Sequence, residues 1–538
     1  MLLNGRCSMS NQNTNQSPHD TLNVNLGANL LEILTTGMYK DSEVIFREYI
    51  QNACDSIDNA RKVGILSSDA GNVDIEINQK DRSITITDNG TGISSHDFLR
   101  IMSSIASSDK KLGEAKGFRG IGRLCGLAYC EEAIFTTSSK GERIRSIMRC
   151  NARLMKQKLN ENLETDNHMP LDELLGSIFE FTQENTEEED SHWFSIKLMR
   201  INETNRTLLN TELVSDYVSA IAPVPFQNIF LYQNKIYEYA SKINYKLDEY
   251  VIRVNGEQIF KNYRTRFNTS KGEDEIYDIV FNKFLDDHNR LIAWSWIGLS
   301  HFKAVIDQKC KMANIRLRKE NIQIGDENTL QRFFSEDRGI KYFVGEVHAA
   351  SKELIPNSQR DYFIENNTKQ IFERELRTYF SSLSRLFHEG SNLNSAYAKE
   401  SEFFRKQEEF NDKLKNKEFV NQTQKDQAES ELDKAERKAN DARKTIEKKK
   451  QQAQQDPDSP LSKVVSHIAS DHETEKKPVA KAAPASSKSG GSGYRSDKLS
   501  SLSRSERKLI SKIYDIILLE LEPDIAEKLI TKIEDNFK

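Results

Sequence analysis

The stretch that decides the fold is Glu48-Tyr-Ile-Gln-Asn52-Ala-Cys-Asp55. Its two acids and its amide stand four and three residues apart, so that a helix carries all three on one face. Such a face is an unusual choice for packing. It suits a site for a metal ion and a nucleotide, in which Glu48 takes a proton from water and Asn52 holds Mg²⁺ through its side-chain oxygen. The alternative interpretation is a solvated helix surface.

Two further segments follow in the same region. Thr87-Asp88-Asn-Gly90-Thr-Gly92 comes directly after an alternating strand pattern, and its glycines let the backbone approach a ligand closely. Gly117-Phe-Arg-Gly120-Ile-Gly122 is a glycine-rich turn that leads into a predicted helix and presents N–H groups to phosphates. Each segment alone is typical of ordinary turns, and it is their order and spacing that indicate a nucleotide site.

Together the three segments resemble the ATP-binding fold of the GHKL superfamily, which includes gyrase, heat-shock chaperones, histidine kinases and MutL. Residues 28–48 resemble the opening helix and hinge of the HtpG-type chaperones. This resemblance implies an α+β chain, with a GHKL (Bergerat) ATP-binding α/β sandwich first. An α/β middle domain, a coiled-coil arm and a small C-terminal helical segment are expected to follow.

The resemblance also implies ATP and Mg²⁺ as cofactors and gives roles to individual residues. Glu48 activates water, Asn52 is the metal ligand, and Asp88 accepts a hydrogen bond from the adenine amino group. The cofactor-binding positions expected on this basis are Asn52, Asp55, Asp88, Gly90, Gly92, Ser107, Gly117, Arg119, Gly120, Gly122 and Asn357.

The chain departs from the chaperone pattern around the nucleotide. Ser191-His192 stands where the family has Gly-Thr beside adenine. In the lid, at residues 94–116, Ile101 and Ser107 replace an Asn and a Lys. Arg119 or Lys116 is a candidate for the missing cation, and a solvated basic side chain is an equally good interpretation of either.

A loop in the second domain decides the subfamily. Leu354-Ile-Pro-Asn357-Ser-Gln-Arg360-Asp361 follows the strand pattern at residues 314–324. It resembles the middle-domain loop that sends an Arg to the γ-phosphate in this family. Arg360 would then be catalytic, because a cation supplied after closure stabilises the transition state. The alternative is a surface Arg paired with Asp361.

Several local patterns predict structure outside the site. Asn255-Gly256 predicts a type I′ hairpin turn, and the alternation around Trp294 and Trp296 places both rings in a core. Ser503 and Glu506 form a capping-box pattern at the start of an amphipathic helix, which Pro523 ends before a second one.

The family resemblance and the shifts in composition together divide the chain into six predicted parts. They are a disordered N-terminus (1–21), the GHKL ATP-binding domain (22–202), the middle domain with the catalytic-Arg loop (203–390), a coiled coil (391–455), a flexible linker (456–500) and a C-terminal helical hairpin (501–538). The coil is either two arms folded back on each other or one interrupted dimeric coil. The terminal hairpin should pack on a copy of itself, on the body of the protein or on a partner.

The composition limits the class of protein. The 538 residues are 37% hydrophobic and 30% charged, and the formal net charge of −5 gives no general attraction to nucleic acid or anionic membrane. Six cysteines without a C-x-x-C pair predict reduced thiols in a cytoplasmic protein. No apolar run approaches the roughly 18 residues that cross a bilayer. Translation starts at Met1 or Met9, and the sequence does not distinguish these.

The predicted function is an ATP-dependent, chaperone-like clamp that hydrolyses ATP, forms a homodimer and acts on protein clients or on a partner bound by the C-terminal helices. A less favoured alternative is a MutL- or MORC-like ATPase clamp that acts on DNA or within a defence or stress complex. A third interpretation is a scaffold that binds ATP without turnover, and Glu48 argues against it.

Overall fold

The computed structural model describes residues 28, 31, 33, 41–104, 122–164, 169–307, 309–475, 499, 502–521 and 523–536. The described residues divide into two compact units. Unit 1 runs to Val214 and includes Ile252–Glu257, whereas unit 2 contains Ser215–Val251 and the chain from Gln258 onward. The predicted α+β class is confirmed. Within the described parts of the chain, no helix combines the length and the apolar content needed to cross a bilayer.

Unit 1 is built on a sheet of strands in the order β5-β4-β3-β6-β2-β1-β7-β8. Neighbouring strands from β5 to β1 pair antiparallel, and Val73, Ile75 and Ile77 of β1 turn buried side chains to one face. The strands are β1 Asn72–Asn78, β2 Ser83–Asp88, β3 Glu132–Ser138, β4 Arg145–Asn151, β5 Phe179–Glu184, β6 Trp193–Met199, β7 Val251–Val254 and β8 Glu257–Gln258.

Helices cover this sheet. They are α1 Val44–Lys62, α2 Phe98–Ser103, α3 Ala152–Glu164 and α4 Leu171–Ile178, with 3₁₀ helices at Gly122–Ala128 and Glu203–Leu209. Helix α5 Thr211–Ile221 begins in unit 1, and its residues from Ser215 onward belong to unit 2. Helix α1 forms because residues 44–62 lack Gly and Pro and repeat apolar side chains at helical spacing. Its buried face, which includes Phe46, Ile50 and Ile57, packs against β1 and β2. Gly64, with φ of 74°, follows its end.

The hairpin of β7 and β8 belongs to unit 1, which corrects the predicted boundary between residues 202 and 203. Asn255 and Gly256 have φ of 48° and 87°, as the predicted type I′ turn requires. The backbone N–H of Asn255 donates to Ile75 O at 2.8 Å, and its side-chain Oδ1 accepts from Ile77 N at 2.7 Å. The edge of β1 that faces away from β2 therefore pairs with a hairpin from later in the chain.

Unit 2 contains a sheet in the order β11-β12-β15-β13-β14 and a separate β9–β10 hairpin. Trp294 and Trp296 on β12 are fully buried, so their predicted place in a core is confirmed. The strands are β9 Arg266–Thr269, β10 Gly272–Glu275, β11 Asp278–Leu285, β12 Leu291–Leu299, β13 Asn314–Lys319, β14 Ile322–Ile324 and β15 Val344–Ala349. Helix α6 Gln233–Lys242 and 3₁₀ helices at Gln331–Phe333 and Gly339–Tyr342 accompany them.

A buried ionic cluster, which we call the Glu346 cluster, lies inside unit 2. The Glu346 carboxylate contacts Lys261 Nζ at 2.9 Å, Arg318 Nε, His348 Nε2 at 3.1 Å and the Tyr263 hydroxyl at 3.0 Å, and all five side chains are buried. Burial alone would raise the pKa of Glu346, but the charges of Arg318 and Lys261 hold it well below its usual range. Burial lowers the pKa of Lys261 to about 8 and that of His348 to about 4.

Three helices complete the main core of unit 2: α7 Asn367–Lys415, α8 Gln422–Gln455 and α9 Pro460–Glu475. Helices α7 and α8 fold back on each other, with Phe403 against Ala435 and Ala439 and with Arg443 Nε 3.1 Å from Glu400 Oε1. The structure thus has the two-arm alternative. Helix α7 runs through the predicted boundary at residue 390, which is wrong because its first half packs in the core of unit 2.

Helix α9 contradicts the predicted linker at residues 456–500 over its own length. Pro460 does not break the chain there. It occupies the first helical position, where the missing N–H costs nothing. Val464, Val465 and Ile468 are buried in the same core as α7 and α8. Of the rest of the predicted linker, residues 476–498 and Ser500 lie outside the described residues, as does the predicted disordered N-terminus at 1–21.

The C-terminal helices are α10 Arg504–Glu520 and α11 Pro523–Asn536. The predicted capping box of Ser503 and Glu506 is present. Tyr514 of α10 and Ile530 of α11 pack on Val420, which lies in the turn between α7 and α8. Among the three predicted contacts for this hairpin, the structure therefore has packing on the body of the protein.

Candidate functional site

Helix α1 carries the three polar residues that the sequence singled out. Glu48, Asn52 and Asp55 are each partly buried, while Tyr49, Ala53 and further apolar residues of α1 are in the core. The Glu48 side chain is 13% exposed, and its Oε1 lies 3.5 Å from Arg47 Nε. The polar face of the helix is thus held at a fixed position by the packing of its apolar face.

The end of β2 approaches α1 very closely. Asp88 is buried, and its Oδ1 accepts a hydrogen bond from Gly90 N at 2.9 Å. A Cβ at Gly90 would lie 2.1 Å from Ser56 Oγ and 2.6 Å from the Ser56 carbonyl carbon. Only glycine fits there. Residue 90 therefore holds the segment that contains Asp88 against Ser56 of α1, one helical turn beyond Asn52.

The loop after Asp88 is fixed from its other side by β3 and β6. Gly92 has φ of 63°, and a Cβ there would lie 1.9 Å from Ser138 O. Ile93 N donates to Thr137 Oγ1 at 3.0 Å, and Thr137 Oγ1 donates in turn to Trp193 O at 2.7 Å. These contacts order the loop before any ligand is bound.

His192 is a site residue that we did not assign from the sequence. Its Nδ1–H donates to Gly90 O at 2.8 Å. The position was noticed only because it departs from the Gly-Thr of the family. His192 therefore holds the loop that follows Asp88, through a contact to backbone.

The last part of the glycine-rich turn lies at Glu48. A Cβ at Gly122 would be 2.5 Å from Glu48 Oε2. The Tyr49 hydroxyl donates to Arg123 O at 3.1 Å and accepts from Gly126 N at 3.0 Å, which fixes the 3₁₀ helix to α1. A helix was predicted after the turn. The structure has this 3₁₀ helix there, and two of its backbone groups hydrogen-bond to the Tyr49 hydroxyl.

Two titratable groups lie on this 3₁₀ helix. Burial, followed by the charge of Glu48, raises the pKa of Cys125 well above its usual range, so this thiol stays neutral. The Arg123 guanidinium donates to Ser104 O, at the end of α2, and burial lowers its pKa. Arg123 directly follows the quoted turn, and no role was predicted for it.

Four predicted cofactor-binding residues lie outside the described residues, namely Ser107, Gly117, Arg119 and Gly120. Lys116 and most of the predicted lid are also outside them. Their roles remain predictions. Of the lid segment, helix α2 is described, and Ile101 on it is partly buried.

Arg360 and Asn357 occupy a tight loop in unit 2. Arg360 has φ of 54°, its N–H donates to Asn357 O at 3.2 Å, and its carbonyl accepts from Gly325 N at 2.8 Å. The Asn357 amide donates to the Asp361 carboxylate. Arg360 is only 7% exposed, unlike the surface Arg of the alternative interpretation. This left-handed backbone conformation is uncommon outside Gly, Asn and Asp. The loop holds Arg360 in it, and this fixes the direction in which the side chain leaves the backbone.

Unit 1 therefore combines a polar helix face with two backbone segments that touch it. Glycine at 90 and at 122 lets one segment approach Ser56 and the other approach Glu48. Asn52 lies between these two points along α1 and offers an amide oxygen, a ligand type that suits Mg²⁺. The residues present fit a bound nucleotide with its metal ion.

Comparison with known proteins agrees with this geometry. The family model described as "Histidine kinase-, DNA gyrase B-, and HSP90-like ATPase" matches residues 44–180. This region is a GHKL ATPase domain. The match begins at the first residue of α1 and ends within β5, so it contains Glu48, Asn52, Asp55, Asp88 and the glycine-rich turn. The predicted GHKL fold is confirmed.

The GHKL domain is similar to that of HtpG chaperones. The chaperone protein HtpG of Verminephrobacter eiseniae is 35% identical over 98 residues, which are 17% of this chain and 15% of that protein. HtpG of Streptomyces coelicolor is 29% identical over 134 residues, or 21% of each chain. HtpG of Methylorubrum populi is 35% identical over 102 residues, 17% of this chain and 16% of that protein. The similarity thus spans about a fifth or less of these relatives' length.

Proposed function

We propose that this protein binds ATP with Mg²⁺ in its GHKL domain, hydrolyses it, and uses the cycle to drive a chaperone-like clamp that acts on protein clients. The observation that carries the proposal is the position of α1 between two glycine-dependent contacts. Gly90 brings the buried Asp88 to one part of the helix, and Gly122 brings the phosphate-binding type of turn to Glu48.

In this proposal each residue acts through the chemistry of its position. The Asp88 carboxylate, oriented by the Gly90 N–H, accepts a hydrogen bond from the adenine amino group. Asn52 holds Mg²⁺, which neutralises phosphate charge when bound. Glu48 takes a proton from the attacking water. Asp55, Gly90, Gly92 and Gly122 shape the cradle.

Arg360 is proposed as a catalytic cation, with Asn357 as the residue that positions its loop. Arg360 belongs to unit 2 and Glu48 to unit 1. A charge delivered from a second unit acts on the transition state more than on the bound ground state. ATP closure would in this way be coupled to turnover. The residues outside the described ranges, Ser107, Gly117, Arg119 and Gly120, are proposed to contact the phosphates.

The proposed assembly is a homodimer, with protein clients or a partner protein at the C-terminal helices. Leu509, Ile516 and Ile525 are each more than half exposed on α10 and α11. Apolar side chains in this number at one hairpin favour a protein contact. The formal net charge of −5 gives no such support to the DNA-clamp alternative.

Two variants at the nucleotide site test the function. Asp88→Asn should lose ATP binding, because its amide N–H₂ would face the adenine donor. Glu48→Ala should keep ATP binding and lose about 10²–10⁴-fold in hydrolysis rate, as is usual when a general base is removed. Glu76→Ala, an exposed carboxylate on β1, is the matched control and should behave as wild type.

Binding is measured with a fluorescent ATP analogue and hydrolysis by phosphate release. Wild-type turnover in Glu48→Ala would contradict the assigned base. Comparing stimulation of the ATPase by an unfolded protein with stimulation by DNA separates the two kinds of clamp. Stimulation by DNA alone would replace the chaperone-like proposal with the MutL- or MORC-like one.

A further inference from the structure

A cluster of two histidines and two aspartates lies in unit 2, where the loop after β12 meets α9. We call it the His301 cluster. The potential ligand atoms of His301, His467 and Asp471 all lie within 4.8 Å of one another. His301 is buried, whereas His467 and Asp471 are partly exposed on α9.

Asp274 fixes the orientation of the His301 ring. The His301 Nδ1–H donates to Asp274 Oδ1 at 2.6 Å, and the same carboxylate accepts from the backbone N–H groups of Glu275 at 2.8 Å and His301 at 3.3 Å. When the ring is neutral, this contact places its proton on Nδ1 and leaves the Nε2 lone pair for a ligand. A carboxylate behind a histidine in this way is the usual second shell of a metal-binding imidazole.

One ring nitrogen of His301 and one of His467 converge on the Asp471 carboxylate, within ion-pair distance but without a hydrogen bond. His301 Nε2 lies 2.7 Å from Asp471 Oδ2, and His467 Nδ1 lies 3.5 Å from Asp471 Oδ1. Neither nitrogen has a hydrogen-bond partner among the described residues, so the carboxylate lies off the direction of each nitrogen. Two ring nitrogens in ion-pair range of one carboxylate, neither of them aligned for a hydrogen bond to it, are a set of ligand atoms that one cation would bridge.

The sequence spacing suits chelation. His467 and Asp471 are four residues apart on α9, which places both on one helix face, and His301 comes from a different element. Tyr277 closes one side, with its ring centroid 3.9 Å from that of His467 and 5.4 Å from that of His301. Tetrahedral zinc ligands stand about 3.3 Å apart, so small shifts of the side chains complete the geometry.

We propose that His301, His467 and Asp471 bind one Zn²⁺ or similar divalent transition-metal ion, with Asp274 as the residue that positions His301. A ligand set of two imidazoles and one carboxylate binds such ions in preference to Mg²⁺ or Ca²⁺. The ion would join α9 to the loop after β12 and so stabilise unit 2. This site is separate from the nucleotide site, and it goes beyond the proposed function.

Zn²⁺ titration of the full-length, chelator-treated protein tests the site. Calorimetry should give one ion per chain, and the midpoint of thermal unfolding should rise with added Zn²⁺. Co²⁺ should give the d–d absorption of a tetrahedral site without thiolate charge-transfer bands, which excludes the cysteines as ligands. Asp274→Asn should weaken the affinity about 10–100-fold, as loss of a second-shell carboxylate does.

The ligand variants His467→Ala and Asp471→Asn should abolish this binding and the thermal shift. His288→Ala, an exposed histidine in the same unit, is the matched control and should retain both. Asp471 is 47% exposed, so Asp471→Asn tests the site even if His467→Ala fails to fold. No saturable Zn²⁺ binding by the wild type would overturn the proposal and leave an ion pair between the histidines and Asp471. Equal binding by the ligand variants and by the control would overturn it as well.

Discussion

The substitution Gly122→Ala tests the contact between the glycine-rich turn and Glu48. The new Cβ would lie 2.5 Å from Glu48 Oε2, whereas ordinary contact begins at 3.4 Å. The carboxylate must therefore retreat by 3.4 − 2.5 = 0.9 Å. A misplacement of about 1 Å at a reacting group costs roughly 100-fold in rate, or about 2.7 kcal/mol in the activation barrier.

The same substitution should leave the fold intact. Gly122 does not have a positive φ, and the atom that must move is the end of a flexible side chain. Alanine also lowers the conformational entropy of the unfolded chain. This raises the free energy of unfolding by about 0.4–1 kcal/mol, which offsets the crowding. We therefore expect an unchanged unfolding midpoint, nearly unchanged ATP affinity and a kcat lowered by about two orders of magnitude.

Steady-state phosphate release and thermal unfolding measure these quantities on the same preparation. Gly176→Ala is the control, because a Cβ at this helical glycine of unit 1 meets no atom within 4 Å. Wild-type turnover by Gly122→Ala would refute the reasoning, since it would mean that the position of the Glu48 carboxylate does not govern hydrolysis.

Three further predictions concern unit 2. Arg360→Ala should lower kcat without weakening ATP affinity in the open state, and parallel losses of both in a titration would place Arg360 in the resting site instead. Ile516→Lys should convert a dimer to a monomer in light scattering without changing the unfolding midpoint, because this side chain is 60% exposed; an unaltered dimer would move the interface elsewhere. The His348 pKa of about 4 in the folded chain lies below its unfolded value near 6.5. Between these two pH values the unfolded chain binds a proton that the folded chain does not. About 3 kcal/mol of the free energy of unfolding is therefore lost as the pH falls from about 6.5 to about 4. His348→Gln should flatten that part of the acid-unfolding curve, and an identical curve would exclude His348 as its cause.

Local patterns predicted the parts of the fold that depend on neighbouring residues. The polar face of α1 follows from the spacing of Glu48, Asn52 and Asp55, and the turn at Asn255-Gly256 follows from two residues that tolerate positive φ. The sequence did not reveal that this hairpin joins the sheet of unit 1, because the partner strand lies far earlier in the chain.

Contacts between distant segments account for the other differences. Pro460 lies within the predicted linker, although it begins α9, since the effect of a proline depends on whether it occupies the first helical position. The bond from His192 to Gly90 O joins residues 102 positions apart. No periodicity reports such a pair, and only the departure from the family pattern marked the position.

The Glu346 cluster has a consequence for how this protein can evolve. Loss of Glu346 leaves Lys261 and Arg318 buried without their counterion, which typically costs about 3–5 kcal/mol, whereas concerted replacement of the cluster by apolar residues of similar volume is often neutral. Substitution of Glu346 alone therefore leads through an unstable intermediate sequence. Descendant lineages that lack Glu346 should also lack the two buried cations, so that the carboxylate and its partners are inherited as one character.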